Sequence, residues 1–323
     1  MESDVLFQNE FLFGNTLLEW IPHPAGFLGN LLNILTIICH YFGGITVFIV
    51  SLPIFYFFYN SRFGIKLCMA VLSTGLINGL QKYFFMSPRP RDLSQQFIEI
   101  SGFIKENSFG FPSGHAHISI LVWGMIYLRF QNIYIRGTSL FFILFTPFSR
   151  LYAGVHYPGD VLGGFFTGLL SLYAIEWFFK KYPKFPDPRS WKNPEKTFKS
   201  LVLAVIAITV STVLLDTSTQ TQRGTANQIV SSAASAAGLF TGILLWKRRY
   251  ENYDLEDIKW IRTLALLFLA IVSFYIGMGR ISEHFFKDNE VFRYFRYFLL
   301  NFTIIYIVPY FSLVIFGEKE NPT

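Results

Sequence analysis

The sequence predicts an all-α polytopic membrane protein with about nine transmembrane helices, and three observations lead there. Of 323 residues, 52% are hydrophobic and 15% charged, and the mean hydropathy is +0.40, on the apolar side of soluble chains. Apolar runs near the ~20 residues that a spanning helix needs recur along the whole chain. The basic residues are sorted between alternate connections of those runs, as a membrane would sort them.

In chain order, the first 20 residues hold Glu2, Asp4, Glu10 and Glu19 but no Lys or Arg. Without the basic start of a cleavable signal, they are expected to belong to the mature chain. The next apolar stretch, Phe27 to Cys39, is short and interrupted by Asn30 and Asn33, which predicts an interfacial helix instead of a span. Spanning helices are expected at 42–59, 65–85, 114–130, 135–154, 160–179, 200–216, 229–247, 260–278 and 294–316. Cys39 and Cys68 lie inside apolar stretches with no partner at metal-ligand spacing, so neither a disulfide framework nor a zinc site is expected. Pro183, Pro186, Pro188 and Pro194 fall among basic residues and mark a cytoplasmic linker at 181–199. The chain thus divides into a helical core at 1–180, made of the interfacial helix and five spans, the linker, and a four-helix region at 200–323. In the last of these, Ser231 to Gly238 and Gly242 place small residues four apart. They predict close helix packing within the chain, with a homodimer contact as the alternative.

The formal charge of +6 reads as topology, with no nucleic-acid partner expected. Sixteen of the 27 basic residues fall in connections on one side of the bilayer, around Arg62, Arg129, Lys180 to Lys199 and Lys247 to Arg262. Excess Lys and Arg marks the cytoplasmic side. The polar signatures described next fall at the opposite ends of their helices, so the site they form is expected on the non-cytoplasmic face of a plasma, inner or endomembrane.

Those signatures are Lys82-x6-Arg89-Pro90, Pro112-Ser113-Gly114-His115, and Ser149-Arg150-x5-His156-x3-Asp160. Phosphoryl transfer depends mostly on positioning and charge neutralisation, which Lys82, Arg89 and Arg150 supply. An arginine fork grips two oxygens at once, whereas lysine offers a compact charge. Ser113 is expected to cap the helix that Gly114 opens, so that backbone amides approach an anion at the positive helix end. Asp160, four residues after His156, would hold one ring nitrogen as donor and leave the other free to attack. His156 is therefore assigned as nucleophile and His115 as general acid. His23, His40, His117 and His284 are read as structural, and Asn78 as bonding neighbouring helices or lining the site floor.

These eleven fixed residues, in this order, resemble the signatures of the type 2 phosphatidic acid phosphatase superfamily, which also includes glucose-6-phosphatases and vanadium haloperoxidases. The resemblance implies a six-helix-type phosphatase core followed here by a C-terminal helical extension. It also implies a phosphohistidine on His156, leaving-group protonation by His115, orientation by Asp160, and phosphate binding by Lys82, Arg89, Ser113, Gly114 and Arg150. No metal and no cofactor is implied.

Three substrate readings remain at this point. A lipid phosphate or diphosphate phosphatase fits a membrane-embedded site, beside which Phe97, Ile98, Ile100, Phe103, Ile104, Phe109 and Phe111 are expected to dip into the headgroup region. A sugar-phosphate hydrolase resembling glucose-6-phosphatase fits the span count, with Asp160 counting against it. A lipid phosphotransferase would use the same intermediate with an alcohol in place of water.

Overall fold

The computed structural model describes residues 7–44, 55–91, 106–185, 217–249 and 289–311, together with single residues or pairs at 93, 97, 104, 193, 196–197, 199–200, 203–204, 207, 210–211, 215 and 264. Every regular element among the described residues is helical. The principal helices are α1 (Gly26–Phe42), α2 (Ser61–Phe85), α3 (Gly114–Arg129), α4 (Ile133–Tyr152), α5 (Pro158–Lys181), α6 (Gln220–Arg249) and α7 (Glu290–Phe302). Two single-turn helices precede α1, and five-residue π-helical stretches occupy Phe55–Tyr59 and Thr303–Ile307.

Four of the described helices are long and apolar enough to cross a membrane: Arg62–Phe85, Pro158–Lys181, Gln220–Trp246 and Val291–Phe311. Fewer spans are therefore supported than the nine expected. The expected spans at 42–59, 200–216 and 260–278 lie wholly or mostly outside the described residues, and α3 and α4 fall short in length or apolarity. The stretch expected to form an interfacial helix is helical, as α1, whose 17 residues rise about 26 Å. Its residues Phe27, Leu31, Ile34, Ile38 and Tyr41 form an exposed apolar stripe at helical spacing. A second such stripe runs the length of α5 through Leu162, Phe166, Leu170, Tyr173 and Trp177. Water penalises stripes of this kind and lipid does not, so a bilayer is their natural surroundings.

The chain forms two compact units. The first comprises Met1–Leu52, Leu67–Phe178 and Asp216–Gln228. At its centre is α3, buried from Ala116 through Val122 and again from Gly124 through Met125 and Ile126. Trp123 stacks on Phe142 of α4, which in turn stacks on Phe42 of α1, at ring separations of 4.5 and 5.4 Å. Asn132 starts α4 by accepting bonds from the Tyr134 and Ile135 amides. Beyond the end of α4, Gly154 adopts φ +63°, a turn that glycine makes without steric cost, and aims the chain toward α5.

The sequence places an aromatic membrane-dipping segment at Phe97 to Phe111, and here the structure corrects it. Phe97 and Ile104 are buried in the protein, Phe97 edge-on to His23 at 4.5 Å and Ile104 packed with Tyr152, Ala153 and Val155. Phe111 lies among Phe7, Phe13 and Phe85. Ile98, Ile100 and Phe103 are outside the described residues. Packing within the protein removes these apolar side chains from water, so they need no lipid to cover them.

The second unit comprises Pro53–Lys66, Phe179–Leu215 and Ile229–Thr323. In it the small-residue face of α6 is used within the chain. A Cβ added at Gly238 would lie 2.2 Å from the carbonyl oxygen of Phe298 in α7, and one at Gly242 would lie 3.1 Å from Ile305. The backbones approach because nothing larger intervenes. Across from this face Phe298, Phe302, Tyr306 and Tyr310 stack one on the next along a single helical row. Gly238→Leu should therefore force the helices apart, at a cost of about 1–3 kcal/mol or more. A thermal unfolding midpoint in detergent equal to that of the unaltered protein would refute this packing.

Candidate active site

All eight residues singled out from the sequence meet in the first unit, at the ends of four helices and the stretches joining them. Lys82 closes α2, Arg89 lies in the extended stretch after it, and Ser113, Gly114 and His115 begin α3. Arg150 is in the last turn of α4, His156 in the turn that follows, and Asp160 in the first turn of α5. Lys82, Ser113, Arg150, His156 and Asp160 are all buried. Charges so placed must be paired, since an isolated buried ion is strongly disfavoured.

His156 is held from both sides. Its Nδ1 lies 3.1 Å from Asp160 Oδ2, and its Nε2 lies 3.1 Å from Arg89 Nη1. A guanidinium can only donate and an ionised carboxylate can only accept, which fixes the tautomer: Nδ1 carries the hydrogen and Nε2 keeps its lone pair. Asp160 Oδ2 also accepts from the Tyr157 amide at 2.9 Å. Burial, reinforced by the charges of Arg89, Lys82 and Arg150, holds the His156 pKa well below its ordinary value, so the ring is neutral at physiological pH.

Arg89 organises the loop between α2 and α3. It donates from Nε to the Ser108 carbonyl at 2.7 Å and from Nη1 to the Val155 carbonyl at 2.7 Å. From Nη2 it reaches Glu106 Oε2 and Ser108 Oγ, each at 3.2 Å, and the Phe109 carbonyl at 3.3 Å. Lys82 Nζ donates to the Phe109 and Gly110 carbonyls. Burial pulls the Arg89 pKa down and the nearby Glu106 and Asp160 charges oppose that pull. Two of the three cations thus shape the loop as well as supplying charge.

Ser113 stands at the N-cap position of α3 with extended backbone, as expected, yet its hydroxyl makes no capping bond. Its amide instead donates to the Asp160 carbonyl at 2.8 Å, tying the starts of α3 and α5 together. Ser113 Oγ and Arg150 Nη2 are buried without a hydrogen-bond partner among the described residues. Glu106 Oε1 and Asp160 Oδ1 are likewise unpartnered, so the site holds unpaired donors that fit an anion's oxygens alongside unpaired carboxylate oxygens. Gly114 lies close over Asn78, where a Cβ would come 3.0 Å from Asn78 Oδ1. Asn78 itself accepts from Gln228 Nε2 at 3.1 Å and donates to the Pro112 carbonyl at 3.0 Å, which agrees with the first of its two expected roles, bonding neighbouring helices.

Two residues at the site carried no signal in the sequence. Glu106 places its carboxylate 3.2 Å from Arg89 Nη2, 3.4 Å from His115 Nδ1 and 3.9 Å from Arg150 Nη1. Burial alone would raise its pKa, but the charges of His115, Arg89, Arg150 and Lys82 outweigh it and hold the carboxyl at about 2. His40, read from the sequence as structural, stacks on His115 at 4.9 Å, and its Nδ1 accepts from Arg150 Nη1 at 3.0 Å. It therefore belongs to the site. His23 and His117 keep structural roles, His23 bridging the Ile21 and Tyr152 carbonyls and His117 bonded to Ser171. His284 is outside the described residues.

His40, Glu106 and His115 bring three possible ligand atoms within 4.8 Å of one another. A divalent cation there would face Arg89 and Arg150 across the same carboxylate.

The helix ends thus bring together histidines, a carboxylate, the buried cations Lys82 and Arg150 and the partly buried Arg89. Residues 63–184 match the family model of the PAP2 superfamily. The chain is 30% identical over 141 residues to phosphatidylglycerophosphatase B of Bacillus subtilis (strain 168), covering 40% of this chain and 64% of that protein. It is 29% identical over 140 residues to a probable sphingosine-1-phosphate phosphatase of Dictyostelium discoideum, covering 39% of this chain and 34% of that protein. The chain thus spans less than two thirds of the length of either relative. No solved structure matches it significantly.

Proposed function

We propose that the protein is an integral membrane phosphatase that hydrolyses a lipid phosphate or diphosphate through a phosphohistidine, without a metal. The observation that carries this reading is the His156 tautomer, whose unprotonated Nε2 lies at Arg89 while Asp160 accepts from Nδ1. In the first step Nε2 attacks phosphorus and the bond to the leaving oxygen breaks, with His115 giving that oxygen a proton. In the second, water attacks the phosphohistidine, His115 takes its proton, and inorganic phosphate leaves. Lys82, Arg89, Arg150, the Ser113 hydroxyl and the amides at Gly114 bind the oxygens on which charge accumulates. Asp160 keeps the ring oriented and stabilises it as it gains positive charge.

The lipid substrate is supported by the activities in the names of both relatives and by the exposed apolar stripes on α1 and α5. The site is assigned to the non-cytoplasmic face from the distribution of Lys and Arg. Residues 1–180 are taken as the catalytic core and 200–323 as an extension of it.

Purified protein in detergent is expected to release phosphate from phosphatidic acid, phosphatidylglycerol phosphate or isoprenyl diphosphate in preference to glucose 6-phosphate. Release should continue in EDTA and stop with vanadate, which adopts the five-coordinate geometry of phosphorus in transfer. Loss of activity in EDTA with rescue by magnesium would overturn the metal-free mechanism, and preference for glucose 6-phosphate would overturn the lipid assignment.

A further inference from the structure

The Glu106 carboxylate stands where the proposed mechanism needs a phosphoryl group. It is in ion-pair range of Arg89, Arg150 and His115, three of the groups assigned to hold or protonate substrate oxygens. Oε2 accepts from Arg89 Nη2 at 3.2 Å, while Oε1, without a hydrogen bond among the described residues, lies 3.4 Å from His115 Nδ1 and 3.9 Å from Arg150 Nη1. Glu106 belongs to none of the three signatures. It sits on the loop whose carbonyls Arg89 and Lys82 bind, three residues before Phe109.

We infer that Glu106 is a built-in competitor of the phosphoryl group, an anion of the chain itself that neutralises the cationic cradle and must withdraw before substrate phosphate can bind. Resting on the function proposed above, this adds a residue that sets affinity for the phosphate head. Three cations around one pocket repel each other and are costly to bury together. A carboxylate among them relieves that repulsion until a phosphate, with more charge and more oxygens, replaces it. Both anions cannot share the cradle, because like charges so close oppose one another. The carboxylate therefore lowers apparent affinity in the way a tethered inhibitor does, by the fraction of time it occupies the cradle.

The test compares vanadate and inorganic phosphate as inhibitors of the unaltered protein and of Glu106→Gln, with Glu106→Ala as a second variant should the amide prevent folding. Each variant is first shown to elute as a single species. Both inhibitors should act on either variant at about tenfold lower concentration, a difference of about 1.4 kcal/mol. Inhibition constants unchanged or weakened in both variants would overturn the inference. So would a loss of kcat without tighter inhibition, which would make Glu106 a proton partner of His115. If the unaltered protein releases no phosphate from any substrate, the proposed function fails along with it. Release with unaltered affinity in the variants removes this inference alone.

Discussion

His156→Ala is expected to abolish phosphate release, by about 10⁴-fold or more, since removing a covalent nucleophile costs on that order. The variant should remain folded. Asp160 keeps its bond from the Tyr157 amide, and the Asp160 carbonyl still accepts from the Ser113 amide, so α3 and α5 stay joined. The same substitution should also remove any acid-labile phosphate that labelled substrate leaves on the protein during turnover. A variant that eluted normally and kept turnover within tenfold of the original would show that the nucleophile is another group.

Arg89→Lys should lower kcat by about 10²–10³-fold, the range seen when an oriented donor to developing charge is lost, although the charge is conserved. One lysine nitrogen cannot reach the Ser108, Val155 and Phe109 carbonyls and the Glu106 carboxylate together. The 106–110 loop would lose its organising donor, and His156 Nε2 the group that faces it. Near-normal turnover would mean that charge alone suffices at this position. Protection of the 106–110 amides from hydrogen exchange would separate a disordered loop from a lost catalytic contact.

The signature residues were legible because each lies at or next to a helix end, and apolar runs reveal where helices end. Once 65–85, 114–130, 135–154 and 160–179 are taken as helices, the ends carrying Lys82, His115, Arg150 and Asp160 fall together without further information. The corresponding helices start and stop within a few residues of those limits. Glu106 was not legible, because its role comes from a loop folding back over three cations, a long-range event with no periodicity. His40 was misread for a related reason. A lone histidine on an apolar helix looks structural until α1 packs on α4 and brings it to Arg150. Phe97 and Ile104 show the limit of hydrophobicity as a guide, since an apolar side chain near a membrane site is equally satisfied by the protein interior. The Ser113 hydroxyl occupies the cap position and leaves the capping bond unmade, which no local sequence rule distinguishes from a true cap.

The loop at the centre of the site has a support that comes from much later in the chain. Thr225 Oγ1 accepts from the Phe109 amide at 3.3 Å, and Gln228, a turn further along α6, reaches Asn78 and through it the Pro112 carbonyl. Both side chains lie beyond residue 184, where the match to the family model stops. A fragment trimmed to the shared region would carry every signature residue and still lack part of the frame that gives the loop its shape. The span of sequence that relatives have in common and the span that builds a working pocket are two different lengths, and here the second reaches at least to Gln228.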